Sequence, residues 1–209
     1  MPDSHPRPVP RQRWAPLAML LLVLVAIGSA WAYPTPAAVP FRWELDFRPG
    51  ELRLYVDPVD GAAYWYFNYA VVNRTGSDQI WAPSMVIFTD TGEILSSGEG
   101  VPSRVEETLR DLLGNPLLET QNEIIGDLHQ GQEHARDGVV VWPARDTQVN
   151  ELAMFVGGLS GETARVRNPL TGDEVILRKT LRRDYLIRGN ALARGSRPVE
   201  LVDQSWVLR

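Results

Sequence analysis

The chain has no cysteine among its 209 residues, one lysine (Lys179) among 21 basic side chains, and three histidines. Each scarcity excludes something. Without thiols there is no disulfide, no thiolate zinc site and no lipid-modified N-terminal cysteine, so folding rests on the core alone. His129 and His134 are the only histidines beyond residue 32, which leaves imidazole chemistry a single location. No glycine-rich phosphate loop is present, and Gly157-Gly158 reads as a strand end. No cofactor is expected, and there is no internal repeat.

The one long apolar run lies at the N-terminus. Arg7, Arg11 and Arg13 precede Ala15–Ile27, and Gly28-Ser29-Ala30-Trp31-Ala32 follows. A basic segment, an apolar core and an Ala-x-Ala ending predict a secretory signal over residues 1–32, cleaved after Ala32. The alternative is an uncleaved inner-membrane anchor over residues 14–33, just long enough to span. Either way the expected address is periplasmic or extracellular, and nucleic acid is not an expected partner.

Charge is unevenly placed. Residues 33–164 carry 8 basic and 20 acidic side chains, whereas residues 165–209 carry 10 and 5. This asymmetry either steers an anionic partner to the C-terminal part or is neutralised within the fold.

Residues 33–40, Tyr-Pro-Thr-Pro-Ala-Ala-Val-Pro, read as a poorly ordered, extended linker. Beyond them the hydrophobic period is two, which predicts strands. Phe41, Trp43, Leu45 and Phe47 form one, and Leu52–Val56 another after a turn at Pro49-Gly50. In a third, Trp65, Phe67, Tyr69 and Val71 share one face and Tyr64, Tyr66 and Asn68 the other. Ile80–Phe88 reads as one strand with a bulge at Pro83. The period then changes: Ser103-x-x-Glu106 has capping-box spacing, Val105, Leu109, Leu112 and Leu113 follow helically, and Gly114 stops the helix. Further strands are expected at Glu123–Leu128, Val139–Trp142, Glu151–Val156, Arg165–Arg167, Glu174–Leu181, Tyr185–Arg188 and Pro198–Leu208. Lys179 falls on the inward side of its strand, which predicts an edge or a bulge there.

Many short strands with one inserted helix predict an all-β antiparallel sandwich over residues 41–209. The segment Tyr64–Gly76, with Gly138–Pro143 and Phe155–Ser160, resembles strands of uncharacterised secreted bacterial proteins with an immunoglobulin-like β-sandwich domain. That resemblance spans roughly residues 41–165 and implies an immunoglobulin-like fold without a catalytic residue.

Candidate chemistry is sparse. His129 and His134, with Asp127 and Glu133, could meet across Gly131 as a weak metal site, the basis of an alternative reading as an envelope hydrolase or metal-dependent enzyme. Gly158-Leu159-Ser160-Gly161-Glu162 lacks the second glycine of a nucleophile elbow. Asp57 and Asp60 read as turn residues, and Asn73-Arg74-Thr75 matches a glycosylation acceptor but reads as a turn. Tyr64 and Tyr66 form either an aromatic platform or part of the core. Arg178, Arg182 and Arg183 are placed to contact an anionic surface. The leading expectation is therefore a non-enzymatic binding or structural module of the cell envelope, with an envelope protein or polysaccharide as partner. It meets the membrane only through an uncleaved N-terminus.

Overall fold

The alternation of apolar and polar residues is carried into strands across most of the chain. The computed structural model describes residues 33–209, so the expected signal and most of the anchor alternative lie outside the described residues. Half of the structure is strand and 8% helix, and the fold is an all-β sandwich with one short inserted helix. Among the described residues no helix is long and apolar enough to cross a membrane.

The strands are β1 (Asp46–Val56), β2 (Ala63–Asn73), β3 (Gln79–Trp81), β4 (Ser84–Thr89), β5 (Ile94–Ser96), β6 (Leu118–Glu119) and β7 (Gly126–Leu128). They continue as β8 (Gly131–Pro143), β9 (Glu151–Gly157), β10 (Thr163–Arg167), β11 (Glu174–Leu186) and β12 (Glu200–Leu208), with helix α1 (Ser103–Leu113) between β5 and β6. One sheet has the order β1-β2-β8-β6. The other runs β5-β4-β9-β11, and β11 also pairs with β10 and β12. All of these pairings are antiparallel except β6 with β8. A small ribbon, β3-β7, completes the set.

The sheets meet over Trp65, Phe67, Val140 and Trp142 from one side and Met85, Ile87, Met154 and Val156 from the other. Trp142 Nε1–H donates to the Met85 carbonyl at 3.3 Å, so the indole ties the two layers as well as filling the gap. On the opposite face of β2 and β8, α1 lays Val105 and Leu109 over Tyr64, Tyr66, Val139 and Val141. Arg104 anchors the helix to the β1–β2 loop by pairing with Asp57 at 2.9 Å and with Asp60. Both aspartates accept backbone N–H groups two residues on, as turn residues do.

Several local expectations are corrected. Pro49-Gly50 is not a hairpin turn. β1 runs through it with a register shift between Pro49 and Leu52, and a Cβ on Gly50 would lie 2.5 Å from the Asn68 carbonyl oxygen. The expected strand Ile80–Phe88 is two, because the chain changes sheets at Ala82-Pro83, where proline offers no ladder donor. Conversely, Glu174–Leu181 and the first two residues of the expected strand Tyr185–Arg188 belong to one strand, β11, which ends at Leu186. The helix spans the expected residues, yet its N-cap is Pro102, without a side-chain cap bond, so no capping box forms. The segment expected as a poorly ordered linker is fixed at Ala37, whose N–H donates to Glu162 (2.8 Å) and whose carbonyl accepts from Lys179 Nζ (3.3 Å).

Asn73 ends β2 fully buried. Its amide donates to the carbonyls of Leu128 (2.7 Å) and Ser77 (2.9 Å), while Oδ1 accepts the Thr75 N–H and hydroxyl. The folded domain therefore offers no glycosylation acceptor at this sequon. Asn73→Asp turns the donor into a buried carboxylate facing two carbonyls, an expected loss of about 3 kcal/mol at neutral pH. Burial raises that carboxyl's pKa, so the penalty should shrink as pH falls and the acid protonates. Urea unfolding at pH 7 and pH 5 checks this; an equal loss at both would rule out the charge as its cause.

Candidate functional site

The period of two sorts the residues of β11. Leu177, Lys179, Leu181, Arg183 and Tyr185 are buried, whereas Arg178 and Arg182 are exposed on the outer face of the sheet. Arg178 and Arg182 thus stand where an anionic surface could reach them.

Arg183 does not. It is 5% exposed, donates through Nε to the Tyr185 hydroxyl at 2.8 Å, bonds Gln204, and lies over the Phe67 ring at 5.8 Å. Its charge is held by rings and neutral acceptors inside the sandwich. Tyr64 and Tyr66 are likewise no open platform, being 5% and 2% exposed beneath α1. Desolvation raises the pKa of both phenols.

The outer face holds more than the sequence indicated. Phe88 of β4 and Phe155 of β9 meet with ring centroids 5.1 Å apart. Arg209, just past β12, stacks over Phe155 at 4.2 Å and Phe88 at 4.9 Å, and Arg182 approaches Phe155 from β11 at 5.9 Å. Burial against the rings lowers the Arg209 pKa from its ordinary value. Arg178 and Arg209 are direct cross-strand neighbours, exchanging backbone bonds of 2.7 and 3.2 Å. The available signal for Arg209 was the alternation Ser205, Val207, Arg209, which continues the outward side of β12.

Two grooves cross this face. One, of about 480 Å³, runs beside Phe88, Asp90, Glu151, Arg182 and Asp184; there Arg182 Nε bonds Asp184 at 2.9 Å. The other, of about 380 Å³, is lined by Ser84, Phe155, Gly158, Arg178, Thr180 and Arg209. Among the described residues no aspartate or glutamate side chain pairs with Arg178 or Arg209.

The histidines lie elsewhere, at the ends of β7 and β8. Their rings are 5.5 Å apart, edge to face, and both are exposed. His129 Nδ1 lies 2.8 Å from Asp78 Oδ2, a contact that raises the imidazole pKa and lowers that of Asp78. Among the described residues no group of three or more His, Asp or Glu is placed to hold a metal ion. Ser160 accepts the Glu162 N–H at 3.2 Å, as a turn residue does. A Cβ on Gly161 would sit 2.4 Å from Trp43 Nε1, so this turn is packed shut rather than raised as an elbow.

A second polar cluster lies inside the fold. Lys179, 2% exposed, holds its ammonium 2.9 Å from Glu44 and 3.2 Å from Glu162, and 4.9 Å from the Trp206 ring. Burial acts to lower its pKa, but the two carboxylates outweigh it and the net shift is upward. With Ala37 bonded to both Glu162 and Lys179, this cluster fastens three chain segments.

The fold and this outer face define a β-sandwich carrying an exposed arginine–phenylalanine surface. Compared with family models, curated proteins and solved structures, the chain matches none.

Proposed function

We propose that this is an exported cell-envelope module without catalytic activity, which binds another envelope component through the outer face of the six-stranded sheet. The observation that supports it most is the grouping of Arg178, Arg182 and Arg209 around Phe155 and Phe88 on the outer face of the sheet. Arginine and aromatic side chains are the residue types that concentrate binding energy at interfaces, and rings that fix guanidinium groups reduce the ordering cost on contact. Export is the part of this reading that rests on the sequence of residues 1–32.

Fractionation of the full chain in a Gram-negative host tests the address. Recovery from the periplasm or inner membrane, with Tyr33 as the first residue if cleaved, is the expected result. A cytosolic protein retaining Met1 or Pro2 would overturn it. The second arm assays purified protein on model esters and glycosides. Hydrolysis that disappears in His129→Ala would replace the binding reading with the enzymatic one.

A further inference from the structure

We infer that the free edge of β10 takes up an extended acidic peptide as an added strand, with Arg165 and Arg167 reading its side chains. This goes beyond the proposed function and does not depend on it. A sheet edge is an open row of N–H and C=O groups, and proteins blunt such edges by shortening, bending or covering them. β5 and β6 are short, at three and two residues, and β1 and β12 carry register shifts. The Leu52 carbonyl of β1 is also taken by the Val199 N–H at 2.8 Å. β10, by contrast, pairs with β11 through five consecutive residues without a shift and holds neither proline nor glycine.

Which backbone groups of β10 are free follows from two bonds. Lys179 N–H donates to the Glu162 carbonyl (3.0 Å) and Asn168 N–H to the Asp173 carbonyl (2.8 Å), so the even-numbered residues face β11. Thr163, Arg165 and Arg167 therefore point their N–H and C=O groups outward. Just upstream, the same edge already accepts a strand. Gly161 N–H donates to the Trp43 carbonyl (3.0 Å), Leu45 N–H donates to the Leu159 carbonyl (2.9 Å), and Glu44 bridges Ser160 antiparallel. Toward its N-terminus the chain then leaves this edge, and among the described residues no backbone bond joins residues 33–42 to β10. An added peptide strand continues the line that Trp43–Leu45 begins.

The chemistry of the occupant follows from the two faces. Thr163, Arg165 and Arg167 are exposed on one, and Ala164 and Val166 are half-buried on the other. Residues directly opposite on neighbouring strands share a face, so an added strand meets arginines on one side and small apolar groups on the other. Aspartate or glutamate alternating with an apolar residue satisfies both. Arg165 pairs with Glu174 only at the surface, at 3.2 Å with side chains 73% and 61% exposed. Among the described residues no aspartate or glutamate side chain pairs with Arg167. A second copy of the chain is a poor occupant. The full antiparallel register, centred on Arg165, sets that arginine against itself, and the next, centred on Val166, sets Arg165 against Arg167. Like charges directly opposite destabilise the pairing.

Nuclear magnetic resonance titration of the isotope-labelled chain with a short capped peptide alternating glutamate and valine tests the edge. Saturable binding is expected, with the amides of Thr163, Arg165 and Arg167 gaining protection from hydrogen exchange. Those of Ala164 and Val166, already turned to β11, should change little. Arg165→Gln and Arg167→Gln should each weaken binding about twofold to fivefold, and raised salt should weaken it too. Thr163→Pro removes an outward N–H at the first residue of the strand and no charge, so it should weaken binding while the circular dichroism stays that of wild type. The double variant Arg165→Glu with Arg167→Glu should prefer a peptide alternating lysine and valine, a reversal that misfolding cannot produce. Absence of binding would overturn the inference, as would protection confined to other amides. So would equal binding of wild type to the lysine–valine peptide, or to one with the same glutamates and valines in two separate blocks. Protection of the same three amides that rises with protein concentration alone would give the edge to a second copy and likewise overturn it.

Discussion

Lys179→Met should cost the domain about 3–5 kcal/mol, the usual consequence of removing one partner from a buried ion pair. The side chain is nearly isosteric, so the loss is electrostatic. It strands Glu162, 4% exposed, and Glu44, 23% exposed at its side chain, beside each other without a cation. For a domain of this size that corresponds to a fall in melting temperature of roughly 10 °C. Adding Glu44→Gln and Glu162→Gln should restore much of the stability, because neutral amides do not need the ammonium; failure to recover would assign the loss to packing. The pH dependence carries the same signature. The folded pKa of Lys179 lies above its ordinary 10.5. Its contribution is therefore complete below that value and lost as pH rises through the folded one. Urea midpoints from pH 9 to pH 12 should fall more steeply for wild type than for Lys179→Met.

Trp142→Ala should be comparably severe, about 3–5 kcal/mol, through the cavity it opens between the sheets. Trp142 is fully buried, paired across the strands with Trp65 and packed with Met85 and Ile87 from the facing layer. Its indole hydrogen bond is the smaller effect, since the Met85 carbonyl also accepts the Ser97 N–H at 3.1 Å. Trp142→Phe, which keeps most of the volume but loses the bond and leaves a small cavity where the pyrrole ring was, should therefore cost less, about 1–2 kcal/mol. Chemical denaturation followed by far-ultraviolet circular dichroism separates the two. Equal losses in both variants would make the hydrogen bond dominant.

The sandwich was legible because local periods carry it. Trp65, Phe67 and Tyr69 alternate into the core, and Val139–Trp142 is apolar throughout because one side meets the facing sheet and the other meets α1. What covers a face is not a local property. Tyr64 and Tyr66 alternate as well as residues of a wet face would, and only the later helix decides that they are buried. The same period that places Lys179 inward places Arg183 inward too; charge argues for exposure, and alternation wins because rings and amides are there to receive it. Glu44 and Glu162 meet Lys179 across long stretches of chain, with nothing in any short window to announce it. Of the outer face, Arg178 and Arg182 were legible from β11 alone, whereas Phe88, Phe155 and Arg209 join them only through strand order.

β2 is sheltered on one side by the facing sheet and on the other by α1, and the full burden of that arrangement falls on the chain before it folds. From Gly61 to Asn73 no residue is charged, and aromatic and β-branched side chains fill most of the strand. The strand's main partner, β8, is synthesised some sixty residues later, with α1 encoded between the two. Until that partner arrives, the segment has the composition from which intermolecular β-stacking grows. Refolding yield should accordingly fall with protein concentration, and a chaperone that shields this stretch should raise it.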